Sequence, residues 1–499
     1  MVSASYLSLA EIRLIKRMLL FRPRPTNQSI LAYFTRPGRD LNHRIIAEIE
    51  GWRGAGLTPA TEQEARAYMR AASLPYPEGH DFTANGFHAT GLASRVKGLL
   101  HLDWWPAGQG LFSTGAITSG RSKPLTWVFD CGTDSGSAQM DVALAQFADR
   151  QESISSREIS LASISHFDAD HINGFVKLLA LYPVDKLLLP YVPLWQRLLA
   201  LIEEGIPASS PLVGFFVDPG AFLAAVGEIR EIIYVPITGP DDLPPPPEVP
   251  PVPSGPSSED GNLAFDEGKP QADGLDDPIV YSSAIRARFL RPGGRIRSAF
   301  WEFVPYNDSK WLAGPPAALS AKVTPVAQQL VDAKTDSNRE TALAALEAIY
   351  DATFGSRSKA RNRISLFLYS GPVDPELELG PYFASHLVGL QKNSKRFSQM
   401  YTGDGSLKTK REWGEFNRFF GPGDRLARSS IFQVMHHGAK DNWHVGMASS
   451  LAPAVSLFCS DPARKRPHPH ADVLRDFWQH HPVQVGTETG FHLQARLYR

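Results

Sequence analysis

The stretch Ser165-His166-Phe167-Asp168-Ala169-Asp170-His171-Ile172-Asn173-Gly174 packs two imidazoles and two carboxylates between positions 166 and 171, and it ends in glycine. It follows a β-like apolar run, Ile159 to Ile164. On a loop after a strand, such a set can surround one or two divalent cations. Imidazole with carboxylate oxygen suits zinc, manganese or iron better than calcium or magnesium. A polar turn with two histidines by chance is disfavoured, because charges this dense repel unless a cation or strong hydrogen bonds hold them. The chemistry implied is water activation: a metal lowers the pKa of bound water to about 7 for zinc, giving a nucleophile for phosphorus or a carbonyl carbon.

Further groups follow the same order along the chain. His101-Leu102-Asp103 and Gly108-Gln109-Gly110 come first, then Val128-Phe129-Asp130-Cys131-Gly132. Beyond the His/Asp loop lie Asn362-Arg363-Ile364-Ser365-Leu366, Tyr401-Thr402-Gly403-Asp404-Gly405 and Val434-Met435-His436-His437-Gly438. Pro467-His468-Pro469-His470-Ala471-Asp472-Val473-Leu474 closes the series. Together these resemble the motif series of the metallo-β-lactamase superfamily, whose usual metal motif is His-x-His-x-Asp-His. Here Asp168 stands at the second histidine. The variant Ser-His-x-Asp-x-Asp-His-x-x-Gly resembles the hydrolase domain of bacterial DNA-internalisation competence proteins and their soluble relatives. The likeness runs over about 99–499, and it is the ordered series that makes it specific.

The resemblance implies an α/β fold, the metallo-β-lactamase αββα sandwich, and one or two divalent metal ions, zinc or manganese. It assigns His166 and Asp168 to a first metal, Asp170 and His171 to a second, and Asp404 as the bridging carboxylate. One histidine of the pair His436-His437 would close a site, with His436 favoured and His437 orienting or protonating the substrate. Asp170 and His468 carry the catalytic expectation, His468 as a phosphate contact or general acid, with His470 a weaker candidate. Asp130 would hold the metal loop by hydrogen bonds, and Asn173 would cap the helix starting near Gly174.

The carboxylate of Asp168 adds negative charge and a harder oxygen. That shifts preference from zinc toward manganese or magnesium and suits phosphoryl substrates. Three positions depart from the family pattern. Ala439 replaces the usual serine after His-His-Gly, where Lys440 could supply charge instead. Pro467 replaces a glycine and stiffens its loop. The separation from His171 to Asp404 is long, so insertions must pack around the site.

A chain of 499 residues allows two or three domains. The net charge of −1 gives no hint of a nucleic-acid partner, although local patches can exist. Two cysteines, Cys131 and Cys459, are too few for a disulfide framework or thiolate site and read as buried free thiols. The chain has no apolar run of membrane-spanning length and no signal-peptide pattern at Met1 to Ala10, so a cytoplasmic location without membrane contact is expected.

Positions 1–75 read as a helical module, with helices over Leu7–Phe21, Asn27–Phe34, Asn42–Glu50 and Thr61–Ala72. Its short helices suggest a helix-turn-helix-like unit, with Lys16, Arg36, Arg39 and Arg44 giving positive charge; the alternative is a helical cap packed on the body. Positions 95–499 read as the hydrolase body. Within it, about 239–277 is proline-rich and reads as a disordered or extended surface insertion, and about 315–354 as a helical insertion. Arg464, Lys465 and Arg466 form the clearest basic run and could steer a phosphate backbone. Trp104 and Trp105 read as core. The expected function is metal-dependent hydrolysis of phosphodiester bonds, as a DNA or RNA nuclease, with a bacterial defence effector checked by a regulatory protein partner as one form of it. The alternatives are a small-molecule phosphodiesterase or esterase, or a metal-stabilised partner-binding protein.

Overall fold

The computed structural model describes residues 7, 9–22, 24–25, 27–34, 44–51, 58–72, 96–119, 123–247, 262–269, 285–308, 317–354, 365–386, 388–463 and 468–498. Strand-forming segments rich in Val, Ile, Leu, Phe and Trp assemble into two mixed sheets. The first has nine strands, in spatial order Glu378–Ala384, Phe491–Tyr498, Val96–Trp104, Phe112–Thr118, Leu125–Cys131, Ile159–Ser163, Val184–Pro190, Ile229–Val235 and Arg286–Phe289. From Leu125–Cys131 onward its neighbours are parallel. The second has eight strands, in the order Pro482–Val485, Val455–Cys459, Ser429–Gln433, Ser398–Tyr401, Leu366–Pro372, Trp301–Asn307, Ile296–Arg297 and Ala264–Phe265. Its first four strands are parallel to one another.

The sheets pack face to face. Trp104, Trp127 and Phe129 from the first meet Trp301, Phe303 and Tyr401 from the second. Trp127 stacks on Trp301 with ring centres 5.8 Å apart, and its Nε1 donates to Tyr401 Oη at 3.1 Å. Buried indoles need such an acceptor, while each large apolar side chain fully buried contributes about 1.5–3 kcal/mol. Helices cover both outer faces. Phe147, Leu178, Leu198 and Phe216 lie on the first sheet, and Phe416, Phe420, Met447 and Phe477 on the second. Strands buried on both faces explain why Leu125–Cys131 and Ser429–Gln433 are almost wholly non-charged rather than alternating. Trp104 and Trp105 are core, as expected, and both cysteines are buried and free.

This order directs the site. In open α/β sheets, functional loops gather beyond the carboxyl ends of parallel strands. Leu125–Cys131, Ile159–Ser163, Ser398–Tyr401 and Ser429–Gln433 all send their C-terminal ends toward one edge. Two backbone bonds tie the loops there: Leu366 N donates to Ser165 O at 2.8 Å, and His436 N donates to Gly403 O at 3.0 Å.

The expected helical insertion forms two helices, Ala317–Asp332 and Asp336–Phe354. Their Leu319, Val323, Leu346 and Tyr350 join the first sheet's helical layer. The proline-rich span departs from expectation in part. Positions 239–247 are built into the fold, and Ala264–Phe265 is a short strand; 248–261 and 270–277 lie outside the described residues. The reason is a buried pair of guanidiniums. Arg425 Nη2 donates to Pro245 O at 2.7 Å and Arg295 Nη1 to Pro246 O at 3.3 Å, and prolines keep their carbonyl acceptors.

The N-terminal helices are Leu9–Met18, Asn27–Ala32, Arg44–Gly51 and Glu62–Ala72. Their apolar residues, including Ile15, Met18, Ile30, Phe34 and Ile46, form a core of their own. Positions 35–43, between Asn27–Ala32 and Arg44–Gly51, lie outside the described residues. Several basic groups fasten the module itself. Arg13 Nε donates to Thr58 O at 3.0 Å, Arg17 Nε to Ala60 O at 2.6 Å, and Arg24 pairs with Glu50. Arg36 and Arg39 lie outside the described residues. No helix among the described residues is long and apolar enough to cross a membrane.

Candidate metal centre

Strand Leu125–Cys131 delivers Asp130 at its end, in the left-handed region at φ 55°. An L-residue there costs about 1–2 kcal/mol, a strain typical of functional positions. Asp130 is fully buried. Its Oδ1 accepts from Ser165 N at 2.7 Å, and its Oδ2 accepts from Ser165 Oγ at 2.6 Å and lies 2.7 Å from His171 Nδ1. Close approach of Gly132 to the loop of His166 to His171 completes the docking, since a Cβ there would lie 2.5 Å from His171 N. The loop then turns into a short helix, Ala169–Ile172.

Asp404 follows strand Ser398–Tyr401 after a turn through Gly403 at φ 50°. Gln433 shapes that turn: its Oε1 accepts from Thr402 N at 2.8 Å and Gly403 N at 2.9 Å. His436 and His437 leave strand Ser429–Gln433 in consecutive left-handed conformations, φ 43° and 56°.

The site residues converge into three compact groups: Asp130, His166 and His171; His166, Asp168 and Asp404; and Asp170, His171 and His437. His166 Nε2 lies 3.4 Å from Asp168 Oδ2 and 3.9 Å from Asp404 Oδ2. His171 Nε2 lies 3.2 Å from Asp404 Oδ1 and 3.9 Å from Asp170 Oδ2. His437 Nε2 lies 3.1 Å from Asp170 Oδ2 and 3.6 Å from Asp404 Oδ1. His436 Nε2 stands 3.4 Å from Asp404 Oδ2.

The two adjacent histidines exchange the weights expected of them. His437 is buried at 2% exposure and joins a group; His436 is 42% exposed and joins none. The cause lies on the neighbouring strand, where Cys459 O faces His437 Nδ1 at 2.5 Å and turns Nε2 inward. His468 sits at the rim, its ring 6.2 Å from that of His436 and 6.4 Å from that of His437. His470 is occupied as a helix cap, accepting from Asp472 N at 3.2 Å. Lys440 is 58% exposed and pairs with Asp472 at 2.9 Å, which ties it to that helix. Asn173 does not cap the helix that follows; its N–H closes the short helix Ala169–Ile172 on Ala169 O at 3.0 Å, and its side chain bridges Thr133 N and O at 3.0 and 2.7 Å. Arg464, Lys465, Arg466 and Pro467 lie outside the described residues.

Electrostatics bind these groups together. Burial opposes ionisation of Asp404, but His436, His437 and His171 hold its carboxyl well below the usual range. Burial likewise opposes ionisation of Asp170, yet His171 and His437 bring it down to about 2. Burial disfavours charge on His171, but Asp404, Asp170 and Asp130 raise it well above an ordinary imidazole. Each carboxylate is thus waiting on positive charge, supplied by protons on imidazole or by a cation.

His166 Nε2, His171 Nε2 and Asp404 Oδ1 are buried without a hydrogen-bond partner. Such groups cost about 1–3 kcal/mol each and are rare in native cores. Lone-pair atoms converging at these distances fit divalent cations, with His166, Asp168 and Asp404 holding one and Asp170, His171 and His437 a second.

One residue at the site escaped the sequence reading. Glu204 follows helix Leu194–Glu203 and stays exposed, yet its carboxyl is pushed up to about 7 by partial desolvation and by Asp168 and Asp170. Nothing in the sequence marks it, since paired glutamates at a helix end read as solvated. No protein-family model matches this chain, and no curated protein matches it.

Proposed function

We propose that this chain is a metal-dependent hydrolase of phosphodiester bonds, built on a metallo-β-lactamase-type αββα sandwich and acting on nucleic acid. The observation that carries the reading is the placement of Asp404 between two groups. Its Oδ2 faces His166 and His436, and its Oδ1 faces His171 and His437. A carboxylate so divided fits a bridge between two cations. When bound, the cations supply charge for a substrate oxygen and ease proton loss from water.

The side chains do the rest. Three carboxylates and three buried imidazoles make a strongly anionic donor set that favours manganese alongside zinc. Asp170 remains ionised, held by His171 and His437, and can accept a proton hydrogen bond from a water beside it. His468 has a buried Nδ1 without a partner, and burial and the facing His437 and His436 lower its pKa. It therefore meets substrate neutral, and a bound phosphate would raise it toward protonation, as a rim contact for the leaving side requires.

The test is cleavage of bis(p-nitrophenyl) phosphate and of single- and double-stranded DNA and RNA with added manganese or zinc. Metal-stimulated polymer cleavage that disappears in Asp404→Ala supports the proposal. Cleavage of the small diester alone moves the substrate to small molecules. Activity unchanged in Asp404→Ala refutes the reading.

A further inference from the structure

We infer that Ser165 is a positioning residue that extends the hold of Asp130 to His166, so that one carboxylate orients a histidine in each cation group. The inference rests on the metal-centre reading above. It follows from counting protons. Asp130 as a carboxylate only accepts, so His171 Nδ1, at 2.7 Å, must carry the hydrogen between them. Ser165 Oγ has one proton, and that proton lies toward Asp130 Oδ2 at 2.6 Å. Toward His166 Nδ1, at 2.7 Å, the hydroxyl oxygen can therefore only accept. The proton on that line belongs to the ring. Both imidazoles then hold a proton on Nδ1 and present Nε2 to the centre, and both Nε2 atoms are the unpartnered ones.

The relay is closed to water. Asp130, Ser165 and His171 are fully buried, and His166 is 1% exposed. The Gly403 backbone packs close beside the hydroxyl, leaving no room for a side chain, since a Cβ there would lie 2.7 Å from Ser165 Oγ. His437 is oriented independently by Cys459 O and serves as an internal control. Partners of this kind fix ring orientation and raise ligand basicity, and losing one typically weakens metal affinity about 10–100-fold.

The experiment combines proton NMR of the imidazole Nδ1–H groups in ¹⁵N-histidine-labelled protein with calorimetric titration of zinc. In Ser165→Ala, the slowly exchanging Nδ1 proton of His166 should vanish while those of His171 and His437 persist. Zinc affinity should fall about 10–100-fold. Asp130→Asn should disturb both His166 and His171 and spare His437. A folded Ser165→Ala protein with the His166 proton and zinc affinity unchanged overturns the inference. Should Ser165→Ala fail to fold, Asp130→Asn decides, and loss confined to His171 overturns it. If wild type takes up no zinc while the protons respond as stated, the metal-centre reading fails and the relay stands.

Discussion

Two carboxylates, near opposite ends of the second sheet's strands, are used in opposite ways. Glu302 is fully buried and closed by guanidiniums: Arg425 Nε at 2.8 Å and Nη2 at 3.1 Å, and Arg295 Nη1 at 3.3 Å. Three further guanidinium contacts reach proline carbonyls, those of Pro422, Pro245 and Pro246. Asp404 is 12% exposed and faces imidazoles, with one oxygen lacking any hydrogen bond. The first cluster carries its own cations on rigid planar forks. The second gathers lone pairs around a space and leaves positive charge to be supplied. A buried carboxylate thus indicates structure or chemistry according to whether its partners bring fixed hydrogens.

The largest expected difference comes from removing each carboxylate. Glu302→Ala leaves two buried guanidiniums uncompensated and should cost about 3–5 kcal/mol in urea unfolding, with metal uptake of the folded protein retained. Asp404→Ala should abolish metal uptake while the metal-free protein unfolds near the wild-type urea midpoint. Similar destabilisation in both variants would erase the distinction. Metal removal sharpens it further. Stripping metal present at about a thousand times its dissociation constant should lower stability by about 4 kcal/mol in wild type, and by nothing in Asp404→Ala. Thermal melts with and without chelator read this directly.

A third comparison uses pH. His101 is buried without a partner on either nitrogen, and burial and the facing Arg150 push its pKa down to about 3. The unfolded ring takes a proton near pH 6.5, whereas the folded ring refuses it until about 3. Below pH 6.5 the unfolded state therefore binds more protons, so stability falls as pH drops through that window. His101→Leu should flatten this slope in urea melts between pH 7 and 4; an unchanged slope contradicts it. The smallest effect belongs to Lys440→Ala. Its exposed pair with Asp472 is screened by water, so the urea midpoint should barely move, with metal uptake untouched.

Much of this was legible in the sequence because it is local. The residues 166–171 declare themselves by type and spacing, and the helical insertion at about 315–354 appears where expected. What was hidden is non-local. His437 outranks His436 because of Cys459 O on an adjacent strand. Prolines that read as unable to build a core are ordered by Arg295 and Arg425, remote in sequence. Glu204 feels Asp168 and Asp170 only through the placement of a helix end. The helix Leu212–Val217 passed unread because so short an apolar run has no clear period.

The most direct measurement is metal content per chain, by elemental analysis of protein loaded with manganese or zinc and desalted, for wild type and Asp404→Ala. About two ions in wild type and loss of both in the variant would uphold Asp404 as the shared bridge of the centre. No bound metal in wild type, or equal metal in both proteins, would contradict it.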